Sequence, residues 1–366
     1  MKDSKAKANC LPRWLIPVAL CVVVLLAVSA LARRSFAVAD LVNSYIATPL
    51  RVIMAALTRY IPFSLFELIF ILAVPALITA ITVSLVRDGG FCAKIRRLLS
   101  IVGVIGILFS GYLAVMTIPY NTTPLASRLS IEEDTDISPE ELYSATLLVR
   151  DRLNELAPTL SCEDGVTVMP YTHEEVSARI CEAYDSVREE YPFFYSFESR
   201  AKDITFSGIM SDMGIAGIYT YLTGEANVNT SYPDYCYVFT VAHEFAHQRG
   251  INRENEANFM AFFVLSRSGD PYLAYSAYLN LYEYLASALY SSDKELYAEV
   301  SRELTDIARQ DNKRASEITR EHRNSPLYKL MHNVNDAYLK SNGTDGVVSY
   351  GYVVRIAVGY LNSTNN

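Results

Sequence analysis

Three runs of this chain carry no charged residue: Trp14–Ala32, Leu68–Val86 and Leu98–Tyr120. Each is long enough to cross the ~30 Å hydrocarbon core of a bilayer as a helix. A buried soluble helix rarely stays charge-free for so long, so the pattern predicts transmembrane helices at 14–32, 68–86 and 98–120. Between the first two, Arg34–Phe63 mixes basic with apolar residues, among them Arg51, Ile53, Met54, Leu57 and Tyr60. That segment reads either as lying along the outer membrane surface or as a loop with a short helix.

The pattern changes after Tyr120. Pro139–Leu156 and His173–Glu190 have helical periodicity, whereas Ile218–Leu222 is aromatic and β-branched and is followed by TGEANVN, a turn and strand. Val238, Val241, Ala242 and Phe245 then recur at helical spacing, with Asp234 as the expected cap and Gly250 as a left-handed stop. Asn252 is the expected cap of a second helix ending near Ser268, with Gly269 after it. A third helix, Pro271–Tyr290, has Asp270 as cap; Tyr272, Tyr275, Tyr278 and Tyr282 share helical spacing and read as core. The expected fold is mainly α: a membrane domain (1–120) with three N-terminal helices, then an α+β domain (121–366).

Charge sharpens the division. Residues 1–119 hold 12 Lys and Arg against 4 Asp and Glu, a net of +8, while the whole chain is at -8; residues 120–366 therefore sum to -16. An acidic domain suits neither nucleic acid nor anionic headgroups. The amino tail and the loop between the second and third runs hold 8 basic residues (Lys2, Lys5, Lys7, Arg13, Arg87, Lys94, Arg96, Arg97). The loop between the first two runs holds 4 (Arg33, Arg34, Arg51, Arg59). The bias predicts a cytoplasmic amino terminus and an extracytoplasmic second domain. Ala30-Leu31-Ala32 resembles a signal-peptidase site, but Arg33 and Arg34 directly after it favour an uncleaved anchor. There is no CxxC; Cys162 and Cys181 are a possible disulfide pair, and Cys236 reads as a buried small residue.

The chemistry is concentrated in VAHEFAHQRG (Val241–Gly250), with His243, Glu244 and His247 in HExxH spacing. Residues one turn apart lie on one helix face. The two imidazoles can hold one metal ion, and zinc suits two nitrogen ligands plus a carboxylate. Glu254 and Glu256, in the first turn of the next helix, are both available as third ligand. Asn258, one turn beyond Glu254, favours Glu254 and could steady it. Acidic residues are also placed at helix amino ends for the dipole alone.

HEFAHQRG followed by RENEANF resembles the bacterial membrane proteins of domain-of-unknown-function family 3810, grouped with zincin-type metallopeptidases. Ile61–Phe70, Ser207–Asn229 and Asp345–Ile356 also look like segments of that family. ENEAN (Glu254–Asn258) resembles the ExEAD element of membrane-bound gluzincin peptidases, whose first Glu is a zinc ligand; that implies the same role for Glu254. This chain departs at Asn258, where those peptidases have Asp. The resemblance implies a zincin-like domain anchored in the bacterial cell membrane, with a peptide or protein as substrate.

In such an enzyme zinc lowers the pKa of a water, and Glu244 acts as general base and later returns the proton to the leaving amine. Tyr219–Asn229 is the expected sheet edge for an extended peptide, or else an ordinary hairpin. His322, His332, Tyr338 and Tyr350 are available to stabilise an oxyanion, and Tyr350, within the family-like SYG stretch, is the residue chosen. The alternative function is a catalytically inactive zinc-binding membrane scaffold or sensor.

Overall fold

The structure, a computed structural model, describes residues 10–133, 136–341 and 351–364. Tyr350 lies outside the described residues. The chain is mainly helical, and among the described residues four helical stretches are long and apolar enough to cross a membrane: Leu15–Ala32, Phe36–Thr58, Leu65–Val86 and Phe91–Asn121. The expectation of three omitted the second. Arg51 and Asp40 interrupt its charge-free run, yet the remainder keeps it apolar on average.

We call these helices α1 (Leu15–Ala32), α2 (Phe36–Thr58), α3 (Leu65–Val86) and α4 (Phe91–Tyr112). α2 contains a π-helical stretch at Asn43–Ala47, and α4 runs on through another at Leu113–Thr117. α3 starts at Leu65 rather than Leu68 because Ser64 caps it, accepting from the Glu67 amide. α4 starts upstream of Leu98, carrying Lys94, Arg96 and Arg97 on its first turns.

Glycines bring α1 and α4 together in parallel. A Cβ on Gly103 would meet Trp14 and Leu15, and one on Gly106 would meet Val18. Further along, Leu25 packs near Val115 and Ala32 against Ile118. α3 runs the other way, its last carbonyls (Val83, Arg87) accepting from Arg97 near the start of α4. Cys10 and Cys92 are disulfide-bonded. Cys162 and Cys181 are unpaired, contrary to the possible bridge: Cys162 is exposed, while Cys181 is buried and bonded to the Ser199 amide.

Beyond Asn121 the domain is built on α5 (Pro139–Leu156), α6 (His173–Glu190), α7 (Asp234–Gln248), α8 (Glu254–Ser266) and α9 (Pro271–Ser292). α10 (Lys294–Arg302), α11 (Asp306–His322), α12 (Pro326–Ser341) and α13 (Gly351–Thr364) complete it. α5 and α6 have the expected bounds, each opened by a capping box that ties Ser138 to Glu141 and Thr172 to Glu175. α7, α8 and α9 bury Val241, Phe245, Phe259, Phe262, Tyr275 and Leu285 in one core, so the tyrosine stripe of α9 is packing, as expected.

The strands are few. β1 (Cys162–Glu163) and β2 (Val166–Thr167) form a small hairpin. β3 (Lys202–Asp203), β4 (Gly217–Thr220) and β5 (Glu225–Val228) form a sheet in the order β3-β5-β4, with β5 parallel to β3 and antiparallel to β4.

This sheet receives the membrane helices through charges at their ends. Lys202 Nζ donates to the carbonyls of Thr58, Arg59 and Ile61 at the end of α2. Glu225 accepts from the Leu65 and Phe66 amides at the start of α3. A cation at a helix carboxyl end and an anion at an amino end both complement the helix dipole.

Candidate metal centre

α7 turns Val238, Val241, Ala242, Phe245 and Ala246 into the core and leaves His243, Glu244 and His247 along the edge of that buried stripe. Its amino end is not capped by Asp234, which is the first helical residue and accepts instead from the Met169 amide. The carboxyl end closes at Gly250, whose φ of +96° is the left-handed conformation expected there. Gly269 after α8 is likewise left-handed, and Asp270 caps α9 by accepting from the Tyr272 and Leu273 amides.

The loop after Gly250 brings Glu254 back to the two histidines. Glu254, the first residue of α8, lies 3.3 Å from His243 Nε2 and 3.5 Å from His247 Nε2, while the two Nε2 atoms are 3.0 Å apart. Donors of a tetrahedral zinc with bonds of ~2.0–2.1 Å would be separated by roughly 3.3 Å, so this His2Glu set fits such an ion. His247 Nδ1 lies 2.7 Å from the Ile251 carbonyl. That contact assigns the proton to Nδ1 and leaves Nε2 as the donor atom.

The two glutamates differ in what each touches. Glu256 accepts from the Leu125 amide and from Arg253, on the far side from the histidines. Asn258 is buried but makes no hydrogen bond to the triad, so the steadying role expected of it falls elsewhere. It falls on Asn252. Instead of capping α8, Asn252 donates to the carbonyls of Val115 and Met116, and Arg253 donates to those of Tyr120 and Thr122. The π-helical turn after α4 lies at these carbonyls. Arg51 of α2 bonds Asn43, the Val115 carbonyl and Asn252 from the other side. The loop between the histidines and Glu254 is thus fastened to α4 and α2.

Electrostatics bind the triad together. Burial pushes the Glu254 carboxyl up, but the two imidazoles outweigh it and hold the group well below the usual range. Burial disfavours charge on His247, yet Glu254 overcomes that and raises the imidazole. Glu244 is raised, burial outweighing the two histidines, and its Oε2 is buried without a hydrogen-bond partner.

The surroundings divide the remaining expected residues. Tyr219–Asn229 is two strands and a turn: β5 is the middle strand, and only β4 is an edge. The Tyr219 amide of β4 faces the Glu244 carboxylate. Gly217, also on β4, has no room for a side chain, since a Cβ would come 2.5 Å from Glu244 Oε1. His322 is paired with Asp212, and His332 is exposed. Tyr338 on α12 is the tyrosine brought near the triad: burial raises its phenol, and the neighbouring Tyr112 and Glu254 raise it further.

Sequence reasoning passed over Arg51, Asn252 and Gly217 as parts of the site. The available signal was a lone arginine in an apolar helix, eight residues after an asparagine.

No curated protein and no solved structure matches this chain. Residues 43–358 match the family described as protein of unknown function (DUF3810), and the chain belongs to that family.

Proposed function

We propose that this protein is a membrane-anchored, zinc-dependent metallopeptidase. The observation that carries the reading is the convergence of His243, His247 and Glu254 within 4.8 Å, with Glu244 beside them on the same helix. Zinc held there would supply a Lewis acid and lower the pKa of a water toward neutrality. Glu244 is the base: its carboxyl is buried, its Oε2 is unpartnered, and its place beside His243 fixes where it can take and return a proton. β4 offers its free edge to an extended peptide, and Gly217 lets that strand approach Glu244 closely. Tyr338, whose phenol feels the Glu254 carboxylate, is a further candidate beside Tyr350 for the oxyanion role.

In the proposed topology the amino terminus is cytoplasmic and the domain extracytoplasmic, following the basic residues. The site lies where α4 leaves the bilayer, since Asn252 and Arg253 are bonded to the residues directly after that helix. The experiment uses the full-length chain in detergent or vesicles, with zinc content and hydrolysis of a peptide library read together. Wild type should carry about one zinc and cleave, and Glu244→Gln should keep the zinc and lose cleavage. Zinc without cleavage in wild type would favour the scaffold reading, and no zinc at all would remove both.

A further inference from the structure

α2 is built inside out. Its buried residues are Ala39, Asn43, Ala47, Thr48, Arg51, Ala55 and Thr58, and all but Thr48 follow one line at almost regular one-turn spacing. They are small or polar: Arg51, steadied by Asn43 of the same helix, donates to Asn252 and to the Val115 carbonyl, and the Thr58 backbone carbonyl accepts from Lys202. The opposite face carries Leu41, Tyr45, Ile46, Leu50, Ile53 and Leu57, with Tyr45 77% and Leu57 65% exposed. A helix between a protein and water would put these residues the other way round. Two aqueous surroundings cannot account for this order; a lipid outside and a polar protein surface inside can.

The path of the chain decides how α2 meets the lipid. α1 and α4 are parallel and α3 is antiparallel, so Ala32, Leu65 and Thr117 all stand at the domain end of the bundle. α2 connects the first two of these points. The contacts along its length lie near that end: Ala39 clusters with Ala32 and Ile118, Ala47 with Ala114 and Val115, Asp40 meets Thr123 and Arg128, Arg51 meets Asn252, Met54 and Ala55 lie against Gly224, and the Thr58 carbonyl meets Lys202. A helix of 23 residues is ~35 Å long and would have to leave this level by its whole length to span.

We infer that α2 does not cross the bilayer but lies in its boundary on the domain side, its apolar face in lipid and its polar line holding the loop that carries Glu254. This rests on α1, α3 and α4 being the crossing helices, which the test checks separately. Its occupant is lipid rather than a second copy because the apolar face is continuous with the exposed apolar surfaces of α1 and α3.

The test is a depth measurement on the full-length chain in phosphatidylcholine–phosphatidylglycerol vesicles, with exposed Cys21 and Cys162 replaced by serine. Nitroxides are placed singly through Leu41→Cys, Tyr45→Cys, Ile53→Cys and Leu57→Cys, and through Val23→Cys and Ile78→Cys on α1 and α3. Accessibility to oxygen and to a water-soluble nickel chelate gives depth. The expected result is one shallow depth for the four α2 sites and deep positions for the two controls. Three results would overturn the inference. A depth that rises toward the middle of α2 to match the controls would make it a span. High nickel and low oxygen accessibility throughout would place the face in water. Low accessibility to both would mean that protein covers it. Shallow or aqueous controls would remove the crossing helices themselves.

Discussion

α7 and α2 are both single helices with a buried line at helical spacing, and they put opposite chemistry on it. α7 buries valine, alanine and phenylalanine and keeps its histidines at the margin of that stripe. α2 buries Asn43, Arg51 and Thr58 and turns leucine and isoleucine outward. The difference shows that periodicity reports which residues face the protein, while composition of the two faces reports what lies on the far side. The helices meet at one loop, where Arg51 reaches Asn252 just ahead of Glu254. In the proposed site α7 supplies two of the ligands, and bonds from α2 and α4 hold the loop that carries the third, Glu254.

The comparison breaks most completely on the α7 side. His243→Ala or His247→Ala removes a ligand, so zinc per chain should fall from about one to near zero in the full-length protein. Retention of stoichiometric zinc after either change would mean that the triad is not the metal site. Glu244→Gln should leave zinc unchanged and lower peptide hydrolysis by at least ~100-fold, the range for a general acid–base group. Equal turnover in wild type and this variant would deny Glu244 its role.

How much of this was legible follows the same line. HExxH lies on one helix, so helix geometry alone brings His243, Glu244 and His247 together, and Glu254 is close in sequence although the loop that returns it is held from outside. The capping boxes of α5 and α6 are equally local, and their bounds were read correctly. The caps assigned to Asp234 and Asn252 were not. Both side chains are drawn to distant backbone groups, Met169 in one case and Val115 and Met116 in the other. α2 was half legible: its mixture of apolar and basic residues was visible, as either a surface segment or a loop with a short helix. Its length was not, because Arg51 looked like a break until a buried partner set appeared. Glu254 and Glu256 could not be told apart until Leu125 claimed the second.

The α2 side should give a graded loss. Asn252→Ala and Arg51→Met leave every ligand in place but free the loop, and partners of ligands are typically worth 10–100-fold in metal affinity. Competition with a chelator on the full-length chain measures it. Residues 120–366 alone lack Val115, Met116 and Arg51, and should show weakened zinc binding for the same reason. Full affinity in that fragment would sever the two halves of the comparison. Glu256→Gln separates stability from metal: the amide oxygen can still accept, but losing the buried charge that faces Arg253 should cost about 2 kcal/mol in unfolding free energy with little change in zinc affinity.

Proton competition sharpens the comparison by the smallest step, and its sign follows from the triad. In the metal-free chain Glu254 raises the His247 imidazole above its ordinary 6.5. The stabilisation from that pair is therefore full below pH 6.5 and is lost as the pH climbs through the raised value. Zinc takes the neutral imidazole, so binding must expel the proton. Affinity should keep rising above pH 6.5, by at most about tenfold per unit for one proton, and level off once His247 is neutral in the free protein. Isothermal titration in two buffers of different ionisation enthalpy counts the proton released. Glu254→Gln lowers the imidazole toward its ordinary value, so in that variant the rise should end nearer pH 6.5 although zinc binding itself is weaker. An unchanged pH profile would show that Glu254 does not hold the proton on His247, and the electrostatic half of the α7 account would fail while the ligand set stood.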